Sequence, residues 1–304
     1  MITVALAATG YFFVLIARRE PHPLKAYWQL FLLPIKHWRE TLNLLILTLA
    51  ISVVLSIYTT LKSLIPSIVP FYIDPWLAKI DYFIHFGHMP WELTHALFSS
   101  SAASAVINFL YNIWFFIMWS FLITFMCWVT RPQLRMQVLI SFCLIWIVNG
   151  IIGATLLSSV GPCYYNYLYP DLESFSQLMA LLKEQDELLL ADNSFFNIWA
   201  VKTQHDLWQS YISSSNGLGD GISAMPSMHV SITTLIALTL RRCHKLLGWL
   251  GWLYVVIIEL GSVHLAWHYA VDGYLAIGMT LLLWISVGKW VTLKESQQIT
   301  TSAV

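Results

Sequence analysis

Charge is what this sequence has least of. Of 304 residues, 11% are Asp, Glu, Lys or Arg, less than half of the roughly 25% usual in soluble domains. An ordinary soluble globule is excluded on that ground. Acidic and basic side chains balance at 16 each, so no basic surplus exists to hold a nucleic acid. Cysteine is scarce as well. Cys127, Cys143, Cys163 and Cys243 lack metal-ligand spacing, so a zinc site is not expected, and the chemistry read below calls for no metal or cofactor. Only Cys163 falls on the outer side of the topology below, which leaves an intramolecular disulfide there without a partner. Sequence repeats, low-complexity tracts and a second soluble domain are also missing.

What is there is apolar and aromatic: 58% hydrophobic residues, 15 Trp and 14 Tyr. Runs of about 20 apolar residues recur, the length needed to cross a bilayer as a helix, and Trp and Tyr suit its interfaces. The expected fold class is all-α, a polytopic membrane bundle of about seven spans. Residues 1–17 form a short apolar stretch ended by Arg18 and Arg19, read as a first span with its N-terminus outside. Without a preceding basic region it is a poor signal peptide. Residues 18–40 form a basic, partly interfacial cytoplasmic segment. The membrane catalytic domain covers 41–290, with spans near 41–61, 105–129, 137–160, 226–240, 247–267 and 268–290, and 291–304 form a cytoplasmic tail. Within 62–104, Pro66, Pro70, Pro75 and Pro90 interrupt the apolar runs, and Pro75 to Phe86 reads as an interfacial or re-entrant helix. The outer loop is 161–223. There Leu172, Phe175, Leu178, Met179 and Leu182 recur at helical spacing and predict an amphipathic helix, and Gly217, Gly219 and Gly221 form a flexible approach to the stretch from Ala224 to His229.

Charge placement tests this layout. All Lys and Arg except Lys62, Lys79, Lys183 and Lys202 fall in segments assigned to the cytoplasm, and most Asp and Glu fall outside. The Lys/Arg bias sets orientation. It brings Ala224-Met-Pro-Ser-Met-His229 and His268-Tyr-Ala-Val-Asp272 to one face of the membrane, the non-cytoplasmic one.

His268 and Asp272 are four apart and share a face if helical. A carboxylate there can fix the imidazole tautomer and free the other ring nitrogen to attack. His229, across the site, can protonate a leaving oxygen. Ser227 is a candidate N-cap or phosphate contact, and free N–H groups at a helix start favour a phosphate oxygen.

These residues resemble the type 2 phosphatidate phosphatase superfamily, the membrane histidine phosphatases related to vanadium haloperoxidases. That family carries Pro-Ser-x-His, matched by Pro226, Ser227 and His229, and then His-x-x-x-Asp, matched by His268 and Asp272. The likeness covers roughly residues 105–290. It implies a six-helix core, here preceded by one extra N-terminal span. It implies His268 as nucleophile, Asp272 as its orienting group and His229 as general acid, acting through a phosphohistidine on a membrane lipid phosphate or phosphodiester. Two departures stand out. Lys-x6-Arg-Pro is absent, Arg131-Pro132 being a fragment on the cytoplasmic side. The third motif usually begins Ser-Arg, but the position six before His268 is Ser262, not arginine. The branch without these cations is similar to inositol phosphorylceramide synthase, to which His268-Tyr-x-x-Asp272, Gly161-Pro162-Cys163-Tyr164-Tyr165 and the stretch from Asp74 to Pro90 bear likeness. That branch implies a lipid alcohol acceptor.

Other candidates carry a plainer reading beside the functional one. His264 could contact phosphate or be a satisfied interfacial histidine. Tyr164 and Tyr165 could line a headgroup site or anchor at the interface. Gly161 and Pro162 would shape a turn at that site. Lys202 and His205 could supply the missing charge or be solvated. Glu259 could pair with Asn112 or Asn149 inside the bundle. His85, His88 and His95 could bind metal, though interfacial solvation explains them better. A transporter would show broken helices in two related halves, and none are found. A scaffold without chemistry sits badly with the intact His-His-Asp set.

Overall fold

In hydrocarbon every backbone N–H and C=O must be satisfied within the chain, which forces long apolar runs into helix. The computed structural model describes Tyr11, Leu15, Ala17 and residues 20–170, 175–192, 194–213 and 221–302. Among these the chain is all-α, without strands, and five helices are long and apolar enough to cross a membrane. The expected polytopic helical bundle is what is observed. The predicted span at 1–17 lies largely outside the described residues.

The chain divides into two units, Met1–Ala50 and Ile51–Val304. In the first, α1 (Pro23–Lys36) opens on a proline, whose missing N–H is harmless in a first turn. Thr41 Oγ1 donates to the Pro34 carbonyl at 3.0 Å. α2 (Trp38–Ile68) starts in this unit and continues through the second, well past the predicted 41–61. Pro66, expected to interrupt it, lies inside it. The buried residues of α2 are Ile51, Tyr58 and Ile65, spaced by seven, so that one narrow seam faces protein.

In the second unit, α3 (Asp74–Ile84) and α4 (Pro90–Leu97) are short helices with proline in their first turns. The predicted span 105–129 is two helices, α5 (Ser101–Asn112) and α6 (Trp114–Cys127). Ser100 caps α5 by accepting the Ala103 N–H at 3.2 Å. α7 (Pro132–Ile147) runs into a π turn, Val148–Gly153, and a last turn, Ala154–Leu156. The outer segment, expected to hold one amphipathic helix, holds three among the described residues: α8 (Pro162–Leu168), α9 (Ser176–Ala191) and α10 (Trp199–Ile212). α9 is the amphipathic one, burying Leu178, Leu182, Gln185 and Leu189 on one stripe. Leu172, Gly217 and Gly219 lie outside the described residues.

α11 (Met228–Cys243), α12 (Lys245–His264) and α13 (Ala270–Ser302) complete the chain. α11 is the hub, packed against α6, α7, α12 and α13. It buries Ser231, Thr233, Thr234 and Thr239 together with its aliphatic residues. Thr234 and Thr239 bond back to carbonyls four residues earlier, at 2.8 and 2.7 Å, and need no outside partner. At 16 residues it is only about 24 Å long. It coincides with the predicted span at 226–240, and it falls below the length of the five long apolar helices. α13 runs on through the residues expected as a tail, to Ser302.

Candidate active site

Asp272 stands in the first turn of α13, and His268 lies just before that helix begins. The pair expected on one helical face therefore straddles a helix start. The contact forms all the same: His268 Nδ1 is 3.3 Å from Asp272 Oδ2, with Asp272 wholly buried and His268 8% exposed. The Tyr269 N–H donates to the same oxygen at 3.0 Å. The turn between α12 and α13 is tied by the Trp267 and His268 N–H groups, which donate to the Ser262 carbonyl at 2.9 and 3.2 Å. Ala266 takes a left-handed φ of 61° in it, a conformation that a Cβ disfavours. The Cys163 N–H fixes the Ala266 carbonyl at 3.0 Å.

Two carboxylates that the sequence pattern did not single out as site residues hold this turn. Asp81 accepts the Ala270 and Val271 N–H groups at 2.7 and 3.0 Å, which caps α13 from another helix and complements its positive end. Burial pushes its carboxyl up to about 6, the two N–H groups and His85 oppose the rise, and Asp272 adds to it. Asp74, fully buried, accepts from Ser159 Oγ at 2.8 Å, the Val160 N–H at 3.1 Å, the Gly161 N–H at 2.9 Å and Tyr269 Oη at 3.1 Å. The signal was present in the sequence: two acidic residues seven apart, hence on one helical face, in a segment rich in apolar residues.

His229 lies in the first turn of α11. Ser227 is the N-cap, its hydroxyl accepting the Val230 N–H at 3.5 Å. The Ser227 N–H donates to the Asp272 carbonyl at 3.4 Å, which ties the two motifs together through their backbones. The Val230 and Ser231 N–H groups are bonded to Ser227, which leaves Met228 and His229 with the first-turn donors that no intrahelical carbonyl meets. The His229 ring stacks on Tyr111 at 4.5 Å and tilts against Trp114 at 4.1 Å. Its carbonyl accepts from Trp114 Nε1 at 3.1 Å and from Thr233 Oγ1. The π turn makes room for this helix start. A Cβ on Gly150 would lie 2.6 Å from Tyr58 and 3.2 Å from Met228 Sδ, and one on Gly153 would lie 3.2 Å from Pro226.

Gly161 joins the halves. Its φ is 89°, and a Cβ there would lie 3.0 Å from both the Ala224 Cβ and the Trp267 carbonyl oxygen, one segment leading to His229 and the other to His268. Pro162 follows as the first residue of α8.

His229 and His268 open onto one cavity of about 340 Å³, whose walls include Tyr58, Lys62, Tyr111, Trp114, Tyr164 and Trp267. Lys62 and His268 lie within electrostatic reach of the His229 ring. Cys163 also borders this space, but burial pushes its thiol far up, which withholds the thiolate a nucleophile needs. A larger cleft, about 910 Å³, lies by Arg131, Arg242 and Lys289 and contains neither histidine.

The other candidates divide. Tyr164 lines the cavity and donates to the Gln204 carbonyl at 2.9 Å. Tyr165 is not on its wall; it is buried against Tyr169 and Phe175. Ser227, Gly161 and Pro162 also lie behind the wall. His264 is fully buried away from the cavity. Its Nε2 is 2.8 Å from Ser104 Oγ, its Nδ1 is 3.3 Å from Thr94 Oγ1, and its ring stacks on His95 at 3.7 Å. Burial holds the His95 ring below its usual range. His85 bonds the Asp81 carbonyl and Tyr274, while His88 faces Glu92 at 3.8 Å, so the three clustered histidines serve separate contacts. Lys202 is exposed and paired with Asp206 at 2.6 Å, and His205 is exposed. Glu259 does not meet its expected partners. Asn112 bonds Asn108, and Asn149 bonds Ser231 and Thr280. The Glu259 carboxyl packs instead on Gly273, where a Cβ would lie 1.7 Å from its Oε2.

An imidazole held by a buried carboxylate, with a second imidazole on the same cavity, can transfer a group between oxygens through a covalent intermediate. No curated protein and no solved structure matches this chain. A family model does, over residues 75–287, a stretch that includes both motifs and most of the cavity wall, and the chain belongs to the PAP2 superfamily.

Proposed function

We propose that the protein is an integral-membrane phosphatase or phosphotransferase that cleaves a lipid phosphate or phosphodiester through a phosphohistidine, in a cavity facing the non-cytoplasmic side. Its superfamily is one of phosphatases. The observation that carries the finer reading is the pairing of His268 with Asp272 on a cavity that His229 shares. Asp272 accepts the Nδ1 proton of His268, which leaves the Nε2 lone pair to attack phosphorus. The P–N bond forms as the P–O bond of the leaving group breaks, and His229 delivers a proton to that oxygen. In the second step His229 takes a proton from the incoming hydroxyl, whose oxygen displaces His268. The Met228 and His229 N–H groups suit the negative charge that spreads over the phosphoryl oxygens.

The charge placement on α11 supports this orientation. His229 is in its first turn, while Arg241 and Arg242 are in its last. Basic ends face the cytoplasm, and the cavity is then on the far side.

A second reading, headgroup transfer to a lipid alcohol as in inositol phosphorylceramide synthase, draws support from the aromatic walls of Tyr58, Tyr111, Trp114, Trp146, Tyr164 and Trp267, which disfavour bulk water. The test is purified protein with phosphatidic acid, prenyl diphosphate and phosphatidylinositol, each with and without a lipid alcohol. Turnover that disappears in His268→Gln is expected. Free phosphate released with no acceptor present rejects obligate transfer. No turnover on any arm, or turnover that survives His268→Gln, rejects the proposal as a whole.

A further inference from the structure

The motifs lack the two cations that the family resemblance led one to expect, yet a phosphoryl group carries negative charge into a cavity walled by aromatic rings. One lysine lines that cavity. Lys62 sits on α2, four residues after Tyr58 and three before Ile65. It therefore shares the protein-facing seam of that helix instead of the lipid-facing side. Long basic side chains near the ends of membrane helices usually reach for water, but this one faces the space that His229 and His268 border. Among the described residues no carboxylate lines that space and Lys62 makes no ion pair. The segment leading to His229 closes over it: a Cβ on Gly221 would lie 2.8 Å from the Lys62 carbonyl carbon and 2.9 Å from its Cγ. Pro66 has no N–H to offer the Lys62 carbonyl, four residues back, so the α2 backbone is open where Gly221 crosses it. Lys202, on α10, is spent on Asp206 at the surface.

We infer that Lys62 is the phosphoryl-binding cation of this site, donating from Nζ to a non-bridging phosphoryl oxygen of the substrate and of the product. It comes from a helix that precedes the family-matched residues 75–287. A lysine offers a compact charge that meets a single oxygen, and in a water-poor cavity that charge acts more strongly than it would at a surface. The inference rests on the reading of the cavity as a phosphoryl-transfer site, and its test separates the two.

The test compares wild type, Lys62→Met and Lys62→Arg for turnover of the lipid substrate and for the affinity of inorganic phosphate as inhibitor. Lys62→Met is expected to raise KM and to weaken phosphate inhibition by about ten- to a hundredfold, the range for a hydrogen bond to a charged group. Lys62→Arg is expected to restore most of both. A lysine with a purely structural role would shift thermal stability and leave phosphate affinity unchanged. In the unmutated protein, saturating inorganic phosphate is expected to slow acetylation of Lys62, read by peptide mass, and to leave Lys202 unaffected. This arm holds even if Lys62→Met does not fold. Wild-type turnover with unchanged Lys62 acetylation, or with unchanged phosphate affinity in a folded Lys62→Met, overturns the Lys62 assignment and leaves the histidine mechanism standing. Absence of wild-type turnover together with absence of phosphate binding removes the functional reading itself.

Discussion

At the residue scale the two histidines differ in what they touch, and the difference assigns their tasks. His268 has a carboxylate behind it, while His229 has Tyr111 and Trp114 against its faces and, among the described residues, no carboxylate paired with its ring. A ring without a carboxylate behind it is the weaker base and the better proton donor. His229→Ala is therefore expected to lower kcat by about 10²–10⁴-fold on an alkyl phosphate ester, the span of general acid catalysis. The loss should shrink sharply on an aryl ester, whose leaving oxygen needs no proton. Equal losses on both esters would count against the acid role. The three catalytic candidates were legible because each brings its own local spacing: Pro-Ser-x-His, and His-x-x-x-Asp. Lys62, Asp74 and Asp81 were not assigned to the site, because their partners lie far along the chain, at Gly221, at Ser159 to Gly161 and at Ala270 to Val271. His264 illustrates the converse. Its spacing from His268 suggested a shared helical side, but α12 ends at His264, and the turn beyond it leaves the two rings apart.

At the scale of elements, the site depends on how three helix starts are held together. Gly161 lies between the approaches to α11 and α13, and Asp81 caps α13. Gly161→Ala is expected to lower stability by about 1–3 kcal/mol, from its left-handed φ alone, and to cut activity further by forcing Ala224 and Trp267 apart. Pro162→Ala, at the first position of α8, should cost under about 1 kcal/mol. Thermal melts in detergent alongside kcat check both, and a Gly161→Ala protein with wild-type melting and rate would refute the account of the turn. Asp81 gives a pH signature. Its folded pKa near 6 lies above the usual 3.8, so between those values the fold holds a proton that the unfolded chain has released. Its stabilising contribution is full below the unfolded value and is lost as pH rises through about 6. Asp81→Asn should flatten the decline in melting temperature across that window, and an unchanged slope would contradict the assignment. The long apolar helices were legible from hydropathy. α11 was legible as a helix from the same hydropathy, whereas the burial of its hydroxyls depends on the neighbours packed around it. The helices of the outer segment were partly hidden because they are short, polar on one side and held by distant contacts, such as Gln204 Nε2 to the Leu265 carbonyl at 2.8 Å.

For the molecule as a whole, the expectation is an enzyme whose chemistry and whose basic side chains lie at opposite ends of the bundle. In sealed vesicles with the non-cytoplasmic face outward, a membrane-impermeant maleimide is expected to label Lys202→Cys, and native Cys127 and Cys243 only after the membrane is opened. The reverse pattern would invert the topology. The all-α class was legible from composition and apolar runs, because hydrocarbon leaves a spanning chain few options. What composition could not supply was the convergence of 229 and 268, which arises from the Ser227 bond to the Asp272 carbonyl and from the turn that Gly161 separates. That convergence is tested most directly by trapping the covalent intermediate. His229→Ala protein, given an activated radiolabelled aryl phosphate ester and quenched in alkali, should complete the first step and stall in the second. The account predicts label on the peptide that contains His268 and none on the peptide that contains residue 229. Label elsewhere, or steady turnover with no labelled histidine at any time point, would contradict it.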